Sequence, residues 1–337
     1  MSLLRYVLRR VALILPTLLG VTIVMFMINY LLPGNPAAVR LGGSPAVSQL
    51  KQMEAKMGLD KPVYIQYFIY ISQLLSGDLG ESWMTGRPVI EDLATRFPAT
   101  LELAIAGFVI MVVIGIPLGV VSAVKRNKLV DHITRIVSIS GVSIPLFWLG
   151  LVIVYLFYFT LRWFPGPIGR LDPGIDPPAS ITGMFILDSI ASGNWTTLRS
   201  SIMHIILPAV TLGFVNLAPV ARMVRSAMLD VLNSDYIRAE RAAGLPENQI
   251  YKDALRNAMI PILTVLGLCF GYLMAGIIVL EQVFSWPGIG LYALQSVAAN
   301  DNDPMQAYIL IMTTVFILTN LVVDILYASI DPRIRYR

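Results

Sequence analysis

The chain has 337 residues, 56% of them hydrophobic and 14% charged, and a formal net charge of +4; the mean hydropathy is +0.71 and the pI about 9.1. A soluble domain carries roughly 25% charged residues, so too few charges remain to cover a water-facing surface of this size, and the apolar surface must face lipid. Basic residues flank apolar runs instead of gathering on one polar face, which points the positive balance at a membrane and excludes a nucleic-acid binder.

A spanning helix needs about 20 mostly apolar residues. The first such segment is Val11 to Leu32, preceded by Arg5, Arg9 and Arg10. Its length exceeds the roughly 7–15 residues of a signal-peptide apolar region, so it reads as a retained anchor. Pro33 to Ala99 follows, with a polar helical stretch at Ser48 to Met57, an apolar aromatic stretch at Val63 to Leu75 and a turn signal at Gly77-Asp78-Leu79-Gly80. This segment reads as a small folded extracytoplasmic insertion resting on the membrane.

The second span is Thr100 to Val124 and the third Ile136 to Thr160. Leu161 to Ser201, rich in Pro, Gly and Asp, reads as irregular loop. The fourth span, Ile202 to Ala221, is interrupted by His204, Pro208, Asn216 and Pro219; proline is tolerated there when neighbours re-satisfy the freed carbonyls. The fifth is Met259 to Leu280 and the sixth Met305 to Ala328. Glu102 and Asp324 lie near span ends, where structural roles are the expectation. Gly115/Gly119 and Gly267/Gly271 form GxxxG patterns that permit close helix contact, and Pro145 and Pro208 are candidate static kinks.

With the N-terminus in the cytoplasm, sixteen of the 25 Lys and Arg fall on the inner side. Setting aside the long loop from Pro33 to Ala99, only Arg162, Arg170 and Arg199 oppose them, so both termini are expected in the cytoplasm. Trp83, Trp163, Trp195 and Trp286 all fall in outer segments, as interfacial aromatics do.

The inner loop from Arg222 to Ala258 holds six basic and five acidic residues. Two short helices are expected in it. Ser234 is a candidate N-cap with Asp235 in the first turn, Gly244 a left-handed terminator, and Pro246 the first position of the second helix. Asp235 to Ala243 then forms a stubby helix. Residue chemistry alone leaves two readings open, a solvated amphipathic loop or a docking element. Small residues Ala239, Ala242, Ala243 and Gly244 allow close approach, and Tyr236 and Arg238 are interface types.

One cysteine, Cys269, and two distant histidines, His132 and His204, leave no disulfide framework within the chain and no Cys/His zinc cluster. GxxxxGK[ST], HExxH, GxSxG and GxGxxG are absent, so ATP is not bound through a phosphate loop here. A secondary transporter working alone would want mid-membrane charges or broken helices in repeated halves. An intramembrane enzyme would want a paired nucleophile and base, and neither pattern is evident.

Tyr236-Ile237-Arg238-Ala239-Glu240-Arg241-Ala242-Ala243-Gly244-Leu245, followed by Ala254 to Pro261, resembles the "EAA" loop of binding-protein-dependent ABC importer permeases, in the form found in dipeptide and oligopeptide permeases. The strict Glu-Ala-Ala is missing, as in that subfamily. Leu32 to Pro36, Gly58 to Pro62, Gly77 to Gly80, Ala99 to Leu103, Gly115 to Gly119, Phe284 to Gly288 and Asp331 to Arg335 extend the likeness along nearly the whole chain, to a B-type subunit.

The resemblance implies an all-α type I ABC importer permease fold with six transmembrane helices, in a bacterial or archaeal cytoplasmic (inner) membrane. Its divisions are 1–32, the insertion 33–99, the permease core 100–328 with coupling loop 222–258, and a cytoplasmic tail 329–337. It implies a non-catalytic subunit without a cofactor of its own, paired with a homologous second permease. Two cytoplasmic ATPases carry ATP and Mg, and an extracytoplasmic binding protein delivers substrate. Asp235, Tyr236, Ile237, Arg238, Ala239, Glu240, Ala242, Ala243 and Gly244 are the implied coupling residues, moved when ATP closes the ATPases. Peptides are the implied substrate; nickel chelates, glutathione and oligosaccharides are handled by the same family.

Overall fold

The computed structural model describes residues 3–31, 36–41 and 45–330. The stretches Leu32-Pro33-Gly34-Asn35 and Asp331 to Arg335 lie outside them. The architecture is all-α with one minimal hairpin. In chain order come α1 (Leu3–Leu31), α2 (Pro36–Leu41), α3 (Val47–Met57), α4 (Val63–Leu75), β1 (Glu81–Ser82) antiparallel to β2 (Arg87–Pro88), and α5 (Val89–Val124). After them run α6 (Leu129–Ser143), α7 (Leu146–Ile153) with a π-helical continuation over Val154–Thr160, α8 (Phe185–Ser192), α9 (Trp195–Leu232), α10 (Asp235–Ala242), α11 (Glu247–Val283), α12 (Ile289–Ala298) and α13 (Asn302–Ile330).

Five helices are long and apolar enough to cross a membrane, within α1, α5, α9, α11 and α13. The third expected span is not a single helix. Ile144 is extended (ψ 125°) ahead of Pro145, which divides the segment into α6 and α7. The physical reason is the clash between a proline ring and a helical preceding residue. Pro208, by contrast, lies within an unbroken α9.

The long helices overrun the expected boundaries. α5 begins at Val89, so the last part of the expected insertion is already helix continuous with the second span. Glu91 and Asp92 in its first turn favour that start by meeting the positive end of the helix dipole. The supposed loop from Leu161 to Ser201 is irregular only to Met184, where α8 begins. Asp188 organises this turn: it accepts hydrogen bonds from Thr182 N and Oγ1 and from Gly183 N at 2.7–2.9 Å. Burial alone would raise that carboxyl, but these bonds hold it below the ordinary carboxylate value.

The core is built on α5, α9 and α11. Leu103, Met111, Leu212, Val224, Leu273 and Ile277 are fully or almost fully buried in it. A Cβ at Gly119 would stand 2.5 Å from Val224 Cβ on α9, and one at Gly267 would collide with Val323 on α13. Both GxxxG patterns therefore mark real close contacts.

α5 and α9 run parallel, with Gly107, Gly115 and Gly119 facing Leu212, Val220 and Val224, and α11 runs opposite to both, bringing Glu281 to Thr100, so the molecule has two ends. At one, α12 and the hairpin pack; at the other lies α10. Asn302 Nδ2 donates to Asn29 Oδ1 at 3.1 Å, so α1 ends and α13 begins at the α12 end. Leu3 and Ile330 consequently lie toward the α10 end. At the α12 end Asp92, fully buried, receives Thr85 Oγ1, Tyr292 OH and the Arg87 guanidinium. Glu102 pairs with Arg170 at 2.6 Å and accepts from Ile186 N at 2.7 Å, the structural role expected of it. Trp286 Nε1 donates to Ala99 O at 2.8 Å, joining two of the singled-out stretches.

Candidate coupling site

α9 carries 11 residues past Ala221, the end of the expected fourth span, which is about 16 Å at 1.5 Å per residue. The chain then turns at Asn233-Ser234 and forms α10, eight residues long, before α11 returns. The second helix of this segment is thus not short: it is the first three turns of α11. Pro246 occupies the position before its first residue, Glu247, and not the first helical position.

Two local devices define α10. At its start Ser234 is extended (ψ 156°), as an N-cap should be, but its side chain does not cap. Ser234 Oγ donates backward to Val231 O at 2.6 Å, so this hydroxyl closes α9 instead. Asp235 remains in the first turn and pairs with Arg238 at 3.2 Å. At the end Gly244 has φ +79°. Its N–H donates to Arg241 O at 3.0 Å and Leu245 N–H donates to Glu240 O at 3.2 Å, which together make a Schellman motif.

The helix has one anchored and one open face. Ile237 is completely buried and belongs to the same core as Ile250, Ala254 and Met228. Tyr236 OH accepts from Asn257 Nδ2 at 2.9 Å, tying the outer edge to α11. Arg241 bridges to Glu247 at 2.9 Å, and that hydrogen bond holds its guanidinium above the ordinary arginine value. Asp235, Arg238, Ala239, Ala242, Ala243 and Gly244 are exposed. Nothing stands within 4 Å of where a Gly244 Cβ would be. Glu240 Oε2 is buried with no hydrogen-bond partner among the described residues.

Behind α10 lies a clamp that sequence reasoning missed. Asp131, completely buried, accepts from Arg225 Nε at 2.8 Å and Nη2 at 3.0 Å, from Ser122 Oγ at 2.5 Å and from Asn127 N at 3.0 Å. It locks the α5–α6 turn to α9 about two turns before α9 ends. A second buried carboxylate was also missed. Glu281, just beyond the expected end of the fifth span, accepts from Thr100 Oγ1 at 2.6 Å and Leu291 N at 2.7 Å. Among the described residues there is no group of His, Cys, Asp or Glu suited to a metal ion. The site is a short helix with an anchored face and an open face of small residues.

Residues 115–336 match the family described as "Binding-protein-dependent transport system inner membrane component", and residues 3–104 match its N-terminal membrane component. The chain is 47% identical over 316 residues to the probable D,D-dipeptide transport system permease protein DdpB of Escherichia coli K12, covering 94% of this chain and 93% of that protein. It is 44% identical over 334 residues to the dipeptide transport system permease protein DppB of Alkalihalophilus pseudofirmus, covering 99% and 100%. It is 38% identical over 335 residues to the glutathione transport system permease protein GsiC of Escherichia coli O6:H1, again covering 99% and 100%.

Proposed function

Because the chain belongs to the binding-protein-dependent transport system inner membrane component family, whose members are non-catalytic permease subunits, we propose that it forms half of the pore of an ATP-driven importer of di- or oligopeptides. The observation that carries the peptide assignment is the likeness to two dipeptide permeases over nearly the full length of both chains. A homologous permease supplies the other half of the pore. Two ATPases bearing ATP and Mg stand beneath it, and a binding protein delivers substrate from the opposite side. The α10 end is cytoplasmic, with both termini on that side, and the α12 end faces outward. The α6–α7 pair makes the sixth crossing.

In this reading Asp235 to Gly244 is the coupling element. Its geometry supports the role: Ile237 roots the helix in the core, so a push on the exposed face moves the core helices and not merely a loop. Ala239, Ala242 and Ala243 let a partner groove close on the backbone, and Tyr236 and Arg238 flank the contact. ATP-driven closure of the two ATPases then displaces α10, and the clamp at Asp131 passes that displacement to α5 and α6.

Reconstitution tests the proposal. The chain, its second permease, two ATPases and the binding protein are placed in liposomes, and uptake of labelled dipeptide and of glutathione is followed with and without ATP. ATP-dependent accumulation of dipeptide is expected. Glutathione uptake with no dipeptide uptake would move the substrate to the tripeptide side of the family, and uptake by the purified chain alone would overturn the assignment.

A further inference from the structure

α4 lies against α1 at a depth that the geometry fixes. The Tyr67 hydroxyl and Thr22 Oγ1 share a hydrogen bond of 3.1 Å, and the Phe26 ring meets those of Tyr67 and Tyr70 at centroid distances of 5.4 and 6.1 Å. The apolar run of the first span, Val11 to Leu32 in the sequence, has 22 residues. At 1.5 Å per residue it measures about 33 Å, close to the hydrocarbon thickness it must cross. Phe26, six residues before the end of that run, therefore lies several ångströms inside the hydrocarbon, with Thr22 about one turn deeper, and α4 is held there with them.

The composition of α4 matches that depth. Its 13 residues, VYIQYFIYISQLL, include no charged side chain. Tyr64, Phe68 and Leu75 are 65%, 68% and 85% exposed, a stripe that none of the described residues covers. Two of its polar side chains, Gln66 and Tyr67, are paired within the chain, while Ser72, four residues after Phe68, is exposed. Gln66 Nε2 donates to Leu59 O and Lys61 O at 3.1 and 2.8 Å, and Tyr67 has Thr22. Lipid demands this, because a polar group left unpaired in hydrocarbon costs several kcal/mol. On its other face Gln66, Tyr70 and Gln73 line a cavity of about 590 Å³, opposite Lys56, Glu81 and Asp303.

We propose that α4 is immersed in the leaflet at the α12 end, with Tyr64, Phe68 and Leu75 against acyl chains, and that it partitions the polar cavity behind it from lipid. The partner is the hydrocarbon itself. The inference rests on α1 crossing the membrane, not on the direction or cargo of transport.

Spin-label accessibility in the assembled transporter, in phospholipid nanodiscs and on a Cys269→Ala background, tests it. Labels are placed by Phe68→Cys on the stripe, Gln73→Cys on the cavity side and Lys51→Cys on α3. The ratio of collisions with oxygen to collisions with a water-soluble nickel chelate is expected to be several-fold higher at 68 than at 73 or 51. Tyr64→Cys is expected to read as 68 does and serves where a label at 68 prevents assembly. A ratio at 68 equal to that at 51 overturns the proposal. So does shielding at 68 that appears only when the binding protein is added, which would make the stripe a protein-docking surface. A lipid-like ratio at 73 overturns the partition.

Discussion

At the scale of single residues, the buried ionic contacts lie where helices must not slide. Among the described residues Asp131 accepts four hydrogen bonds, from Ser122, Asn127 and Arg225, and has no exposure. Removing it strands Arg225, which faces the carboxylate through two bonds. Asp131→Ala is expected to cost about 3–5 kcal/mol, read as a lower thermal unfolding midpoint of the detergent-solubilised transporter, while Asp131→Asn keeps part of the hydrogen bonding and loses less. Equal, negligible effects in both variants would show that the clamp is not holding α5, α6 and α9 together. None of this was legible in the sequence. Asp131 and Arg225 are 94 positions apart, and Glu281 fell one residue beyond an apolar run that ended at Leu280. Pattern reading sees neighbours along a helix; it does not see which distant helices touch. Gly244 was legible, because a glycine after a short helix carries its own conformational reason, here φ +79°.

At the scale of elements, α10 is a short helix rooted by Ile237 and ended by Gly244, and the proposed coupling role makes it a lever. Gly244→Pro is incompatible with φ +79° and also removes the donor to Arg241 O. Gly244→Ala keeps the donor and is strained by about 1–2 kcal/mol. Ala243→Glu leaves the backbone intact and places a bulky charge on the exposed face. Transport is expected to fall at least tenfold in Gly244→Pro and Ala243→Glu while ATP hydrolysis by the assembled transporter continues, with Gly244→Ala in between. Unchanged peptide uptake in the first two would remove α10 from the coupling path. The existence of α10 was readable from Asp235 and Gly244. Its mounting was not, since Ser234 reads as a cap yet spends its hydroxyl on Val231 O. The break at Ile144-Pro145 follows from a local rule, but an apolar run that continues across it looks like one span.

At the scale of the whole molecule, hydropathy located most of the crossing helices because lipid imposes one simple demand, an apolar run of sufficient length. It placed their ends poorly. α5, α9 and α11 continue as helices well beyond the hydrocarbon, where polar residues satisfy water and helix geometry equally well. The extension of α9 sets α10 about 16 Å clear of the apolar segment, where the proposed coupling needs it. At the opposite end α12, α8 and the hairpin form a packed cap, with the carboxylates Asp92, Glu102 and Glu281 buried there. The molecule is thus a rigid membrane core with a structured plate at one end and a single projecting helix at the other.

Cysteine crosslinking of that projecting helix tests the account most directly. With Cys269→Ala as background, Ala239→Cys is paired with cysteines placed around the permease-facing groove of the ATPase subunit, and oxidation is carried out in the assembled transporter with and without ATP. A crosslinked permease–ATPase product whose yield changes on ATP binding is the predicted result. No crosslink at any groove position, or labelling of the thiol introduced at position 239 by an impermeant reagent added outside intact cells, would contradict it.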